Sequence, residues 1–131
     1  MTLVVDASVV ATALVDSTAR GIWARDHLRE GELAAPHLMP AEVSSVLRRT
    51  ERSGELSTNI VAVAYADLLD LSVELFSFEP YADRVWQLRD NVTVYDAWYV
   101  ALAESLDARL ATLDRRLATA AGPTCRFDTP P

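Results

Sequence analysis

This 131-residue chain has one cysteine, no lysine and no long apolar run. A single thiol, Cys125, forms no internal disulfide and is too little for a thiolate zinc site. The apolar runs are far too short to cross a bilayer. Met1 to Asp6 carries no basic region and meets an acid at once, so it does not read as a signal peptide. A soluble cytoplasmic protein with no membrane association is the expectation. No repeat, low-complexity tract or linker interrupts the chain, and half of its residues are hydrophobic, which excludes extended disorder. One domain spanning residues 1–131 is expected. The missing lysine excludes more. Receiver domains and aspartyl phosphatases also use an aspartate at a strand end, but they need a lysine to balance phosphate charge. In addition, Asp6-Ala7-Ser8 lacks the second aspartate of a phosphatase motif.

What is present is acid. The net charge of −7 argues at first against nucleic acid, whose binding is driven by cations. That argument weakens if several of the acids hold divalent cations. All twelve basic residues are arginine, whose planar fork suits phosphate.

Local patterns predict alternating strands and helices. Leu3–Val5 reads as a buried strand, and Ser8 as the cap of a helix over Val9–Val15. Ala19–Arg29 reads as a helix, Leu33–Ala35 as a strand, and Met39–Arg52 and Ser57–Leu71 as helices joined by a short turn. Val73–Phe78 is a strand candidate, Tyr81–Arg89 a helix opened by Pro80, and Asn91–Thr93 the turn before a helix carrying Asp96. Leu110–Leu113 reads as a strand, Arg115–Ala120 as a short helix and Cys125–Phe127 as a last strand. This alternation predicts an α/β fold, a three-layer α/β/α sandwich around a short-stranded parallel sheet. The two successive helices predict a protruding helical hairpin suited to partner or dimer contacts.

Four acids sit where a core does not want them. Asp6 and Asp114 follow strands, at the sheet edge where such folds bind ligands. Asp96 lies in a first helical turn and shares a face with Val100 and Ala103, while Glu42 shares one with Met39 and Val46. Clustered carboxylates repel, and an oxygen-only set suits Mg²⁺ or Mn²⁺. Such ions can activate water against a phosphodiester. Ser8 and Thr112, each two residues from an acid, are placed to orient Asp6 and Asp114 respectively. Each acid also has a plainer reading, as a turn residue or a helix cap; Asp114 in particular suits the N-cap of the helix after it.

The segments VVDASV, PAEV, YDAWYVALAE and LATLDRRL, in that order and spacing, resemble PIN-domain ribonucleases, and within them the VapC toxins of bacterial toxin–antitoxin pairs. The resemblance covers essentially the whole chain. It implies four acidic metal ligands, falling on Asp6, Glu42, Asp96 and Asp114, that together form the catalytic centre. It also implies cleavage of single-stranded RNA, a homodimer, and a VapB-type antitoxin whose tail fills the groove. The alternative is a catalytically degenerate interaction module that binds a partner or RNA without cleaving. Tyr95, Arg115 and Arg116 are RNA-contact candidates, and Arg48, Arg49 and Arg52 form a basic helix face. Trp23, Trp86 and Trp98 lie in helical segments and are read as core or interface rather than base-stacking residues. His27 and His37 lack partners at zinc-ligand spacing and read as surface or partly buried residues.

Overall fold

The computed structural model describes residues 1–131. Its centre is β1 (Thr2–Val5), a β-branched apolar run whose Val4 and Val5 are wholly buried. β2 (Glu32–Pro36) and β4 (Arg109–Ala111) pair with it on either side, and β3 (Glu74–Phe76) and β5 (Phe127–Asp128) close the edges. The order is β3-β2-β1-β4-β5 and every pairing is parallel. Such a sheet must be covered on both faces, because neither face of its central strands tolerates water. This is the predicted α/β sandwich. The strand predictions are right in place and loose at their ends: β3 is shorter than Val73–Phe78, β4 stops at Ala111 rather than Leu113, and β5 begins at Phe127.

Helices α1 (Ala7–Val15), α2 (Ala19–Leu28), α3 (Met39–Arg52) and α4 (Thr58–Asp70) pack among themselves. α6 (Val94–Leu106) lies over β2, β1 and β4, with α5 (Ala82–Gln87) beside it, and α7 (Arg115–Ala118) is a single turn. Ala97 and Tyr99–Ala103 are buried, so α6 is apolar almost all round and sits in the core. The α1 to α2 turn is tight: a Cβ on Gly21 would fall on the Asp16 carbonyl oxygen. Arg25 donates to that same oxygen at 2.7 Å and to the Ala13 carbonyl at 3.1 Å, closing the end of α1.

α3 matches its predicted bounds, burying Met39, Val43 and Leu47 and leaving Arg48, Arg49 and Arg52 exposed. Ser57 caps α4 as expected, accepting from the Ile60 amide at 3.3 Å. The far end of the hairpin, Arg52–Glu55, is exposed. α4 buries Val61, Ala64 and Leu68 but presents Ile60, Val63, Tyr65 and Leu69 to solvent.

Candidate active site

β1 and β4 deliver the first part of the site. The Asp6 amide donates to the Ala111 carbonyl at 3.0 Å, which extends the ladder one residue past β1 and sets Asp6 beside Thr112. Thr112, fully buried, donates its hydroxyl to Asp6 Oδ2 at 2.7 Å, and Ser8 donates to the same oxygen at 3.2 Å. Both hydroxyls also accept: Thr112 from the Asp114 amide at 3.1 Å and Ser8 from the Leu113 amide at 3.3 Å. The two hydroxyls therefore tie the carboxyl end of β1 to that of β4. Two expectations need correction. Ser8 does not cap α1, which begins at Ala7 with Asp6 at the cap position. Thr112 orients the Asp6 carboxylate, and touches Asp114 only through its backbone.

α6 and α3 deliver the second part. Thr93 caps α6 by accepting from the Asp96 amide at 3.1 Å, which fixes Asp96 in the first turn. Tyr99 follows three residues later on the same face and is 1% exposed. Its hydroxyl donates to Glu42 Oε1, from the first turn of α3, at 2.7 Å. Tyr99 is the residue that sequence reasoning missed. Its signal was a tyrosine at helical spacing from Asp96 inside an otherwise apolar stretch, where a buried hydroxyl must find a partner.

Asp114 differs from the other three. It is exposed, and its Oδ1 accepts from the Arg116 and Leu117 amides at 2.9 and 3.2 Å, capping α7. The N-cap reading of Asp114 is thus met, and it stands at the surface because the one-turn helix that it caps lies outside the sheet. Asp114 nevertheless shares a cleft of about 140 Å³ with Asp96, Asn91, Thr93 and Arg116. Tyr95, the residue before Asp96, is exposed but does not line that cleft. The Arg115 guanidinium is engaged by the chain itself, donating to the Pro130 carbonyl at 2.7 Å.

Charge repulsion links the acids. Burial raises the Asp6 carboxyl above its ordinary range, against the pull of the Thr112 and Ser8 hydroxyls. Glu42 is raised by burial and by the charges of Asp6 and Asp96, although Tyr99 opposes this. Asp96 is raised by burial, by Asp6 and by Asp114. Burial and then Glu42 push the Tyr99 phenol upward, so it stays a donor. No arginine or histidine is ion-paired with any of the four acids. The donor set is all oxygen and fits a hard divalent cation. As they stand, no three His, Cys, Asp or Glu side chains close into a ready-made ligand cage.

The fold and the edge on which these acids stand define a class: the chain belongs to the PIN-domain family, whose model matches residues 3–123. More particularly, it is similar to Ribonuclease VapC1 of Mycobacterium tuberculosis, with 45% identity over 125 residues, 95% of this chain and 94% of that protein. Among solved structures it is similar to PAE2754 from Pyrobaculum aerophilum, with a TM-score of 0.72 and 25% identity, covering 98% of this chain and 83% of that one. VapBC2 from Rickettsia felis, bound to a DNA fragment from their promoter, matches with a TM-score of 0.67 and 12% identity over 98% of both chains. Likeness at that identity speaks to the fold alone.

Proposed function

We propose that this chain is the toxin of a type II toxin–antitoxin pair, a Mg²⁺- or Mn²⁺-dependent endoribonuclease acting on single-stranded regions of cellular RNA. The observation that carries this reading is a set of partly or fully buried carboxylates, Asp6, Glu42 and Asp96, each raised by burial, the last two also by the charge of Asp6, and none with a cationic partner. Asp6, Glu42, Asp96 and Asp114 would hold the ion, which would supply the Lewis acidity and the activated water that phosphodiester hydrolysis needs. Thr112 and Ser8 fix the Asp6 carboxylate, and Tyr99 fixes Glu42, so two of the ligands are oriented before metal arrives. Asp114 works from the rim with the oxygen that its capping role leaves free. Arg116, lining the cleft, and the exposed Tyr95 are placed to meet RNA.

The partners follow from the same surfaces. A cognate VapB-type antitoxin inhibits by laying a segment against the hairpin Met39–Leu71, with an arginine or lysine engaging the acids in place of the metal. The apolar residues exposed on α4 support burial in a homodimer or against that antitoxin. The test is cleavage of total RNA by purified protein with Mg²⁺, with Mn²⁺ and with EDTA, beside Asp96→Asn. Metal-dependent products that vanish in the folded variant support the reading. Full activity in Asp96→Asn refutes the site, and a wild type that binds no metal favours the non-catalytic interaction module instead.

A further inference from the structure

α7, with Asp114 at its cap, is a single turn of four residues. So short a helix does not hold itself, and its position depends on what it is tied to. Leu117, 3% exposed, anchors one side of the turn. Arg115 lies two residues earlier, about 200° around the helix, and so faces the other way. The helix dipole favours an acid in a first turn, so a cation there must be held by something else. That partner is the Pro130 carbonyl, which accepts from Arg115 Nη2 at 2.7 Å. The expectation that Arg115 contacts RNA is corrected accordingly: its guanidinium is engaged within the chain.

Pro130 is a fixed point. It is buried, whereas Pro131 after it is exposed. Together they face Ile22 and Trp23 of α2 across a cleft of about 300 Å³. The segment that leads to Pro130 leaves β5 at Asp128, which is held on several sides. The Asp128 carbonyl accepts from the Thr112 amide at 3.0 Å. Its Oδ2 accepts from Arg109 Nη1 at 2.6 Å and lies 3.3 Å from His27 Nε2. Two residues of chain span at most about 7 Å, so Pro130 stays close to that junction.

The strap Asp128–Pro130 therefore links the two ends of the acid set. Thr112, bonded to Asp128, donates its hydroxyl to Asp6. Arg115, bonded to Pro130, follows Asp114 directly. Asp6 is fixed by the sheet, whereas Asp114 is only as well placed as the turn beneath it. A hard divalent cation, Mg²⁺ above all, tolerates little error in where its ligands stand. We propose that Arg115 is a positioning residue: through Pro130 it ties α7 to the β4–β5 edge and keeps Asp114 in place for the ion. The role of Asp114 rests on the ribonuclease reading above; the tie itself does not.

The test compares wild type with Arg115→Ala, Arg115→Lys, Pro130→Gly and the double variant Arg115→Ala, Pro130→Gly. Amide exchange is measured in EDTA, Mn²⁺ binding by calorimetry, and cleavage of a single-stranded RNA oligonucleotide at varied Mg²⁺. Arg115→Ala and Pro130→Gly should each speed exchange at Arg116 and Leu117 roughly 3- to 10-fold, as for one lost hydrogen bond, and leave the Asp6 amide unchanged. Each should raise the metal concentration for half-maximal binding and cleavage about 10-fold. KM for RNA at saturating metal should stay within about two-fold of wild type. The double variant is no worse than the worse single one, because both break the same contact. Arg115→Lys, which keeps a charged donor, recovers most of the loss. A direct RNA contact gives the opposite split: Arg115→Ala raises KM at saturating metal, Pro130→Gly changes nothing, and the metal dependence is that of wild type. That result overturns the proposal, as does unchanged exchange at Arg116 and Leu117 in both folded single variants. A wild type that binds no metal removes the ribonuclease reading and this role for Arg115 together, whereas a metal-dependent wild type beside unaltered variants removes only the role of Arg115.

Discussion

Replacing Asp6 with asparagine separates the stability of this protein from its proposed activity. Asp6 is 9% exposed, and its Oδ2 accepts both the Thr112 and the Ser8 hydroxyls. An asparagine Oδ1 occupies the same place and keeps both bonds, so the packing is conserved and only the charge is lost. The sign follows from the raised carboxyl. A group whose folded pKa lies above its unfolded value favours the fold when protonated; that contribution is complete below the unfolded pKa and is lost as pH rises through the folded one. At neutral pH without metal, ionised Asp6 therefore works against folding and also raises Glu42 and Asp96. Removing that charge is expected to stabilise the metal-free protein, within the roughly 0.5–2 kcal/mol usual for a single stabilising substitution. For a chain of this size that is a rise in Tm of roughly 2–8 °C. Thermal unfolding in EDTA at neutral pH measures it, and the gain should shrink toward acid pH as the wild-type carboxyl takes up its proton. With Mg²⁺ or Mn²⁺ the order reverses, since only wild type gains from the ion. A Tm for Asp6→Asn below wild type in EDTA at neutral pH refutes the reasoning.

Three further changes test other parts of the structure. Tyr99→Phe removes the donor to Glu42 without changing ring packing, and should raise the Mg²⁺ concentration needed for half-maximal cleavage about 10-fold while the circular dichroism spectrum is unchanged. Burial alone would raise Glu104, but Arg84, at 2.7 and 3.1 Å, and the Thr124 amide hold its carboxyl below the usual range. Its contribution is therefore present above the unfolded pKa and is lost as pH falls through the folded one, so denaturant titration of Glu104→Gln should show a loss of about 1–2 kcal/mol at pH 7 that fades in acid. Gly21→Ala places a methyl on the Asp16 carbonyl and should cost more than about 2 kcal/mol, read as a lowered denaturation midpoint; a wild-type midpoint would mean that the α1 to α2 turn relaxes freely.

Much of this was legible because the fold follows from periodic patterns. α3 was predicted at both ends: Pro40 in its first turn and Gly54 beyond its last mark the limits of an apolar stripe. The short strands were found but misjudged at their ends, since where β4 stops is set by pairing with β1 and β5, a long-range property. Within the site, the segments carrying the acids were visible and their burial was not. Asp114 looked like Asp6 because both follow apolar strands. One meets buried hydroxyls and the other meets the bare amides of α7, and that difference lies in three dimensions. The Thr112–Asp6 bond joins residues 106 positions apart, and Tyr99–Glu42 joins residues 57 apart; no local rule links either pair. For Trp86 the sequence allowed core or interface alike, and the burial of Val85 and Leu88, which turns it outward, excludes the core.

The amide of Asp6 is a rung of the innermost strand pair, and this gives the cleft two tempos. Exchange of that proton with solvent requires β1 and β4 to part, an opening expected only with loss of the whole fold. Asp114 instead stands on a four-residue helix that can fray while the sheet stays closed. Deuterium uptake should therefore be slowest at Asp6 and fast at Arg116 and Leu117. On warming, the outer wall of the cleft should loosen well before its floor, and the Asp6 amide reports the last moment at which the centre still exists.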